Sequence, residues 1–130
     1  MSKRVCISAR VSASMVFQLL HQYQSQCYVN LFGAYAAGEQ RRDFVTVDDV
    51  VKVNLFFLDH PELSGIFNVG TGNSYSYNDI ARESVNALRT TAGLSTLSLA
   101  DMVEQQLIRY IPFPKNLRGK YQSFTQANIE

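Results

Sequence analysis

This chain holds only two cysteines, Cys6 and Cys27. They are spaced for neither a CxxC redox pair nor a zinc motif, and read as reduced thiols of a cytoplasmic protein. Histidine is as rare. His21 and His60 have no cysteine or second histidine at ligand spacing, so no metal site is expected. Long apolar runs are missing too. Nothing reaches the ~18 residues of a membrane helix, and the apolar stretch behind Lys3 and Arg4 is too short for a secretory signal. No run of lysine or arginine occurs and the formal net charge is +1, which removes the electrostatic case for a nucleic-acid partner. The expectation is a soluble cytoplasmic protein with no nucleic-acid and no membrane partner.

Catalytic signatures are also thin. Short-chain dehydrogenase chemistry uses a tyrosine four residues before a lysine, so that the ammonium lowers the phenol pKa from the same helix face. None of the seven tyrosines has a lysine at that offset. No G-x-S-x-G serine elbow is present. The nearest approach to a dinucleotide fingerprint is Gly70-Thr71-Gly72-Asn73-Ser74-Tyr75, but Tyr75 stands where the third glycine should allow close helix–strand packing. The run reads as an ordinary glycine turn. No catalytic and no cofactor-binding residue is therefore assigned.

What is present is the make-up of one globular domain: 130 residues, 46% apolar and 18% charged. Helical periodicity marks Ser14 to Gln26, and Val29 to Phe32 suits a short strand. Gly33 to Gln40 reads as a loop. Asp43 to Val47 alternates like a strand. Asp48 or Asp49 then caps a helix through Leu58, apolar nearly all round and so expected to be deeply packed, which His60-Pro61 ends. Gly65 to Val69 reads as a buried strand. Ser76 with Asp79 and Ser98 with Asp101 have capping-box spacing, opening helices to about Arg89 and Gln106. Ile108 to Phe113 is a strand that Pro112 and Pro114 push to an edge, and the tail from Lys115 is loop-like. Strands alternating with helices imply α/β with some parallel pairing.

The run Arg41-Arg42-Asp43-Phe44-Val45, with Asp48-Asp49-Val50 behind it, is the informative cluster. Arg42 could hold a phosphate or sugar through its planar fork, or pair with Asp43 or Asp48 at the surface. Here the whole stretch RRDFVTVDDVVKVNLFFLDHPELSGIFNVGTGNSYSYNDIA resembles the second half of an extended short-chain dehydrogenase/reductase, a superfamily of sugar-nucleotide epimerases and dehydratases. Its marks are an R-D-F/Y-V-x-V-x-D-V segment followed by G-x-x-N-V/L-G-x-G. The later IRYIPFPKNLRGKYQSFTQANI, with SMVFQLL and LFGAY…GEQRRDF, resembles the ADP-L-glycero-D-manno-heptose 6-epimerase family. The resemblance covers 12–130; residues 1–11 are unmatched.

That resemblance implies a partial extended short-chain dehydrogenase fold: the substrate-binding half, with a few short strands and about four helices. It implies an NADP-dependent isomerase of lipopolysaccharide core heptose synthesis, acting on an ADP-sugar and forming homo-oligomers. Arg42 and Tyr121 match substrate contacts of the family. Phe32 matches its loop beside the substrate, where Ala34 and Tyr35 align across a length difference. Two departures stand out. Gln18 replaces a substrate-contacting histidine. Ser8-Ala9-Arg10-Val11 replaces His-Lys-Gly, whose lysine is an acid/base group; alanine transfers no proton and Arg10 stays protonated. The expectation is a piece of such an epimerase, inactive and without NADP by itself. The alternatives are a non-catalytic remnant or sugar-nucleotide-binding module, or a substrate-half subunit that works with a separate nucleotide-binding chain.

Overall fold

The computed structural model describes residues 15–33, 38–117 and 122–129. Their order is α1 (Met15–Gln26), β1 (Val29–Phe32), β2 (Arg41–Arg42), α2 (Val47–Asp59), β3 (Tyr75–Ser76), α3 (Tyr77–Thr91), α4 (Leu99–Glu104) and β4 (Ile108–Ile111), then a 3₁₀ turn at Lys115–Leu117. The mixed α/β class, the four helices and the few short strands are those expected. β1 and β4 pair in parallel, Val29 with Ile108 through Phe32 with Ile111. β2 and β3 form a small antiparallel pair, Arg41 with Ser76 and Arg42 with Tyr75.

The core lies on one face of the parallel pair. Alternation along β1 turns Val29 and Leu31 inward, where they meet Leu19 of α1, Ala81 and Val85 of α3, Met102 of α4 and Ile108 of β4. Each large aliphatic side chain so buried contributes about 1.5–3 kcal/mol. α1 and α4 both stop on a left-handed residue that is not glycine, Cys27 at φ 63° and Gln106 at φ 59°. These tight stops feed β1 and β4 directly, so each helix packs beside the strand that follows it.

The two capping boxes form as their spacing predicts. The Ser76 hydroxyl accepts the Asp79 N–H at 3.1 Å, and the Asp79 carboxylate accepts the Ser76 N–H at 3.2 Å. Ser98 and Asp101 repeat the exchange at 3.2 and 3.3 Å. Hydrogen bonding to Ser76 holds the Asp79 carboxyl below its ordinary range.

Four expectations are corrected. The 43–47 stretch has no ladder: the strand is Arg41–Arg42, and Thr46 already caps α2. The Thr46 hydroxyl, not Asp48 or Asp49, accepts the free N–H of the first turn, from Asp49 at 3.2 Å. Thr46 is the residue still extended, at φ −76° and ψ 151°, whereas both aspartates are already inside the helix beside its positive end. α2 is not deeply packed, and none of its residues is buried. Val47, Val51, Leu55 and Leu58 form an exposed stripe. Finally, 65–69 is neither paired nor buried; Ile66 is fully exposed. Both segments carry patterns made for cover that no described element supplies. Between them lies an open hollow of about 530 Å³, lined by Lys52, Val53, Phe56, Phe57, Phe67 and Asn68. Among the described residues no helix is long and apolar enough to cross a membrane.

The glycine turn is tied down by Asp43. Its carboxylate accepts the Thr71 N–H at 2.9 Å, the Thr71 hydroxyl at 2.6 Å, the Gly72 N–H at 3.0 Å and, from the tail, the Ala127 N–H at 3.1 Å. Gly70 leaves no room for a side chain: a Cβ there would stand 2.5 Å from the Ala127 methyl and 2.6 Å from Asp43. The Thr71 hydroxyl above all, and the backbone donors after it, hold the Asp43 carboxyl at about 2.

Two outcomes follow from these contacts. Ser76→Ala should lower the unfolding free energy by about 1 kcal/mol, through loss of the buried cap; an unmoved urea midpoint would contradict it. Asp43 has a depressed pKa, so its stabilisation is present above the unfolded carboxyl's value near ~4 and is lost as the pH falls through about 2. Asp43→Asn should therefore flatten that part of the acid-unfolding curve, measured by circular dichroism. A wild-type-like acid limb in the variant would show that the carboxylate is not responsible.

Candidate functional site

Parallel pairing brings the C-terminal ends of β1 and β4 side by side, Phe32 opposite Ile111. Beyond that edge is where open α/β sheets hold ligands, because the loops that leave parallel strands gather there. The ring of Phe32 meets buried Phe113 edge-on, with centroids 5.1 Å apart. Its carbonyl accepts the Gly38 N–H at 3.2 Å and the Gln40 side-chain amide at 3.3 Å. The chain leaving β1 is thus drawn back onto the strand end.

The return is fixed against the start of α3. The Tyr77 N–H donates to the Gln40 carbonyl at 2.9 Å, and the Asn78 N–H to the Gly38 carbonyl at 3.1 Å. Gly38 has φ +85°, and a Cβ there would overlap the Asn78 amide, so conformation and space both require glycine. Gln40 is 1% exposed, and its Oε1 is the buried side-chain oxygen left without a partner among the described residues. Arg41 and Arg42 follow directly on this path, as β2.

A polar cluster sits under it. The Tyr110 hydroxyl donates to the Asn78 Oδ1 at 2.8 Å, and the Asn78 Nδ2 donates to Glu39 at 2.9 Å. Burial, and after it the Glu39 carboxylate, push the Tyr110 phenol above its ordinary pKa. That is the reverse of what a proton-transferring tyrosine needs at neutral pH. Tyr110 serves as a neutral hydrogen-bond donor.

The two arginines differ in role. Arg41 turns its fork onto Ser74, with Nε 3.2 Å from the hydroxyl and Nη2 2.6 Å from the carbonyl, and so clamps β2 to the approach of β3. The Arg42 Nη1 donates to the Arg41 carbonyl at 2.9 Å, and its Nη2 to the Gln122 carbonyl. Its Cζ lies 5.9 Å from the centre of the Tyr77 ring. Asp43 is engaged by the glycine turn.

Of the residues singled out in the sequence, Phe32 ends β1 and Arg42 lies on β2, two residues after Gln40, whose side chain donates to the Phe32 carbonyl. Tyr121, Ala34 and Tyr35 lie outside the described residues. Sequence reasoning missed Gln40, Asn78 and Tyr110. Asn78 is hidden inside a capping box, where it reads as one more polar residue of a first turn, and its contacts come from distant segments. The Gly38-Glu39-Gln40 run ahead of the arginines was the available signal. Among the described residues no group of three or more His, Cys, Asp or Glu side chains could hold a metal ion.

The Gly70–Asn73 turn does not fit a dinucleotide phosphate. Its Thr71 and Gly72 N–H groups, which would have to face the phosphate, donate to the Asp43 carboxylate. An anion placed there would meet a negative charge.

Two comparisons bear on kinship. Residues 7–70 match the NAD dependent epimerase/dehydratase family; that stretch carries Phe32 and Arg42. The fold is similar to the solved structure of TunA, an NAD-dependent NDP-hexosamine 5,6-dehydratase of tunicamycin biosynthesis, at 26% identity and a TM-score of 0.56. The likeness covers 88% of this chain and 30% of that one, so this chain spans about a third of its relative's length. The matched stretch and the structural likeness are both to NAD-dependent epimerases and dehydratases.

Proposed function

We propose that this chain is the substrate-binding portion of an NADP-dependent ADP-glyceromanno-heptose 6-epimerase, an isomerase of lipopolysaccharide core heptose synthesis. On this reading it neither turns over substrate nor holds NADP by itself. One observation carries it. The RRDF run and the YQSFTQAN run, both in segments that resemble that family, are 80 residues apart at Arg42 and Gln122, yet the Arg42 guanidinium bonds the Gln122 carbonyl. That bond supports reading the two runs as parts of one substrate wall.

The assigned chemistry is binding. Arg42, with Phe32 and Tyr121, receives the ADP-sugar: a guanidinium suits a diphosphate because its planar donors match two oxygens at once. The cofactor would supply hydride removal and return. The turn geometry and the lack of a Tyr–Lys pair support the view that its site lies outside this chain. A second reading has support of its own. The exposed stripe of α2 and the apolar 63–69 stretch suit a substrate-half subunit, covered by a separate nucleotide-binding chain.

ADP-D-glycero-D-manno-heptose should bind the purified chain in a calorimetric titration, and Arg42→Ala should weaken that binding about tenfold or more, the loss expected for a charged hydrogen bond. Equal affinity of the two proteins would remove Arg42 from the site. NADPH should give no micromolar fluorescence titration with the chain alone; a saturable one would refute the assignment of the cofactor site elsewhere. The subunit reading is tested by co-expression with a nucleotide-binding half, and needs epimerase activity that appears only with both chains.

A further inference from the structure

The segment 122–129 has no helix or ladder of its own, yet it is fastened along its length. The Arg41 N–H donates to the Ser123 carbonyl at 2.9 Å, and the Thr125 N–H returns to the Arg41 carbonyl at 3.1 Å. Further on, the Gln126 side chain donates to the Gly72 carbonyl at 2.6 Å, and Asn68 donates to the Asn128 carbonyl at 3.2 Å. The strap therefore lies across both β2 and the glycine turn.

Asp43 is the knot of this arrangement. It follows directly on Arg42 in the chain. One of its oxygens, Oδ1, takes both Thr71 donors, and the other, Oδ2, takes the N–H groups of Gly72 and Ala127. A single carboxylate thus joins two segments that also meet through side-chain amides and the close approaches of Gly70 to Ala127 and of Gly72 to Ile129. At its other end the strap presents the Gln122 carbonyl to the Arg42 guanidinium. The position of that carbonyl depends on where 123–127 is held.

We propose that Asp43 is a positioning residue: by locking the 122–129 strap to the glycine turn, it fixes the Gln122 carbonyl against which Arg42 rests, and so aims the guanidinium. The lock stands on geometry alone. Its importance for ligand binding rests on the reading of Arg42 as a substrate contact, and the two are tested separately. Asparagine in place of Asp43 keeps the size but offers one acceptor oxygen and one N–H₂, which would face donors already there. That side chain cannot then hold both the turn and the strap.

The test is amide hydrogen exchange by NMR on the whole chain, with the Arg42 side-chain Nε–H resonance assigned through Arg42→Lys. In Asp43→Asn, the Thr125 and Ala127 amides should exchange about tenfold or more faster. The Arg42 resonance should shift, while Leu31 and Val85 in the core keep their protection. Thr71→Val, which keeps the carboxylate and removes the hydroxyl, should act in the same direction by about threefold, and it decides the matter if Asp43→Asn does not fold. Unchanged strap exchange in both variants would overturn the proposal, as would a loosened strap with an unmoved Arg42 resonance. In the ADP-heptose titration, the losses from Arg42→Ala and Asp43→Asn should overlap rather than multiply, because both act through one guanidinium. Wild-type chain that binds no ADP-heptose would defeat the functional reading and leave the strap result to stand or fall by itself.

Discussion

The parallel pairing of β1 with β4 is the constraint from which the rest follows. Four residues of ladder join segments near opposite ends of the described chain. The pairing closes the floor of the core, with Val29, Leu31 and Ile108 against α1, α3 and α4. It also sets two strand ends level, so that Phe32, the return through Gln40 and the Tyr110–Asn78 pair share one edge. An antiparallel arrangement would send the connections to opposite ends and disperse these groups. Core and candidate site are consequences of one register.

How far the sequence could be read depended on the reach of each interaction. Ser76 with Asp79 and Ser98 with Asp101 are three residues apart, and the geometry of a first helical turn makes the exchange of hydrogen bonds nearly automatic. Val29–Phe32 and the helix to Gln26 are also local patterns, and both form. Thr46 shows the limit of local reading. Three neighbouring residues could each cap α2, and which one does so turns on where the chain ceases to be extended, a matter of two or three residues.

Other features were out of reach because their partners are distant. Nothing near Asn78 announces Tyr110 or Glu39, and nothing near Asp43 announces Ala127. Arg42 was read as a substrate contact chiefly through resemblance; two of the groups it bonds, the Arg41 and Gln122 carbonyls, are backbone groups that composition does not encode. The apolar pattern of α2 and of 65–69 was read as a sign of burial, yet both stretches lie exposed.

The stretch Leu63-Ser64-Gly65-Ile66-Phe67-Asn68-Val69 carries a further consequence. It has no charge and no proline, is rich in β-formers and lies open to solvent. Such windows are templates for intermolecular cross-β stacking. Asp59, Pro61 and Glu62 stand immediately before it, where like charge and a missing N–H act as gatekeepers against fibril growth. The colloidal lifetime of the free chain is set by how well those three residues guard the seven that follow.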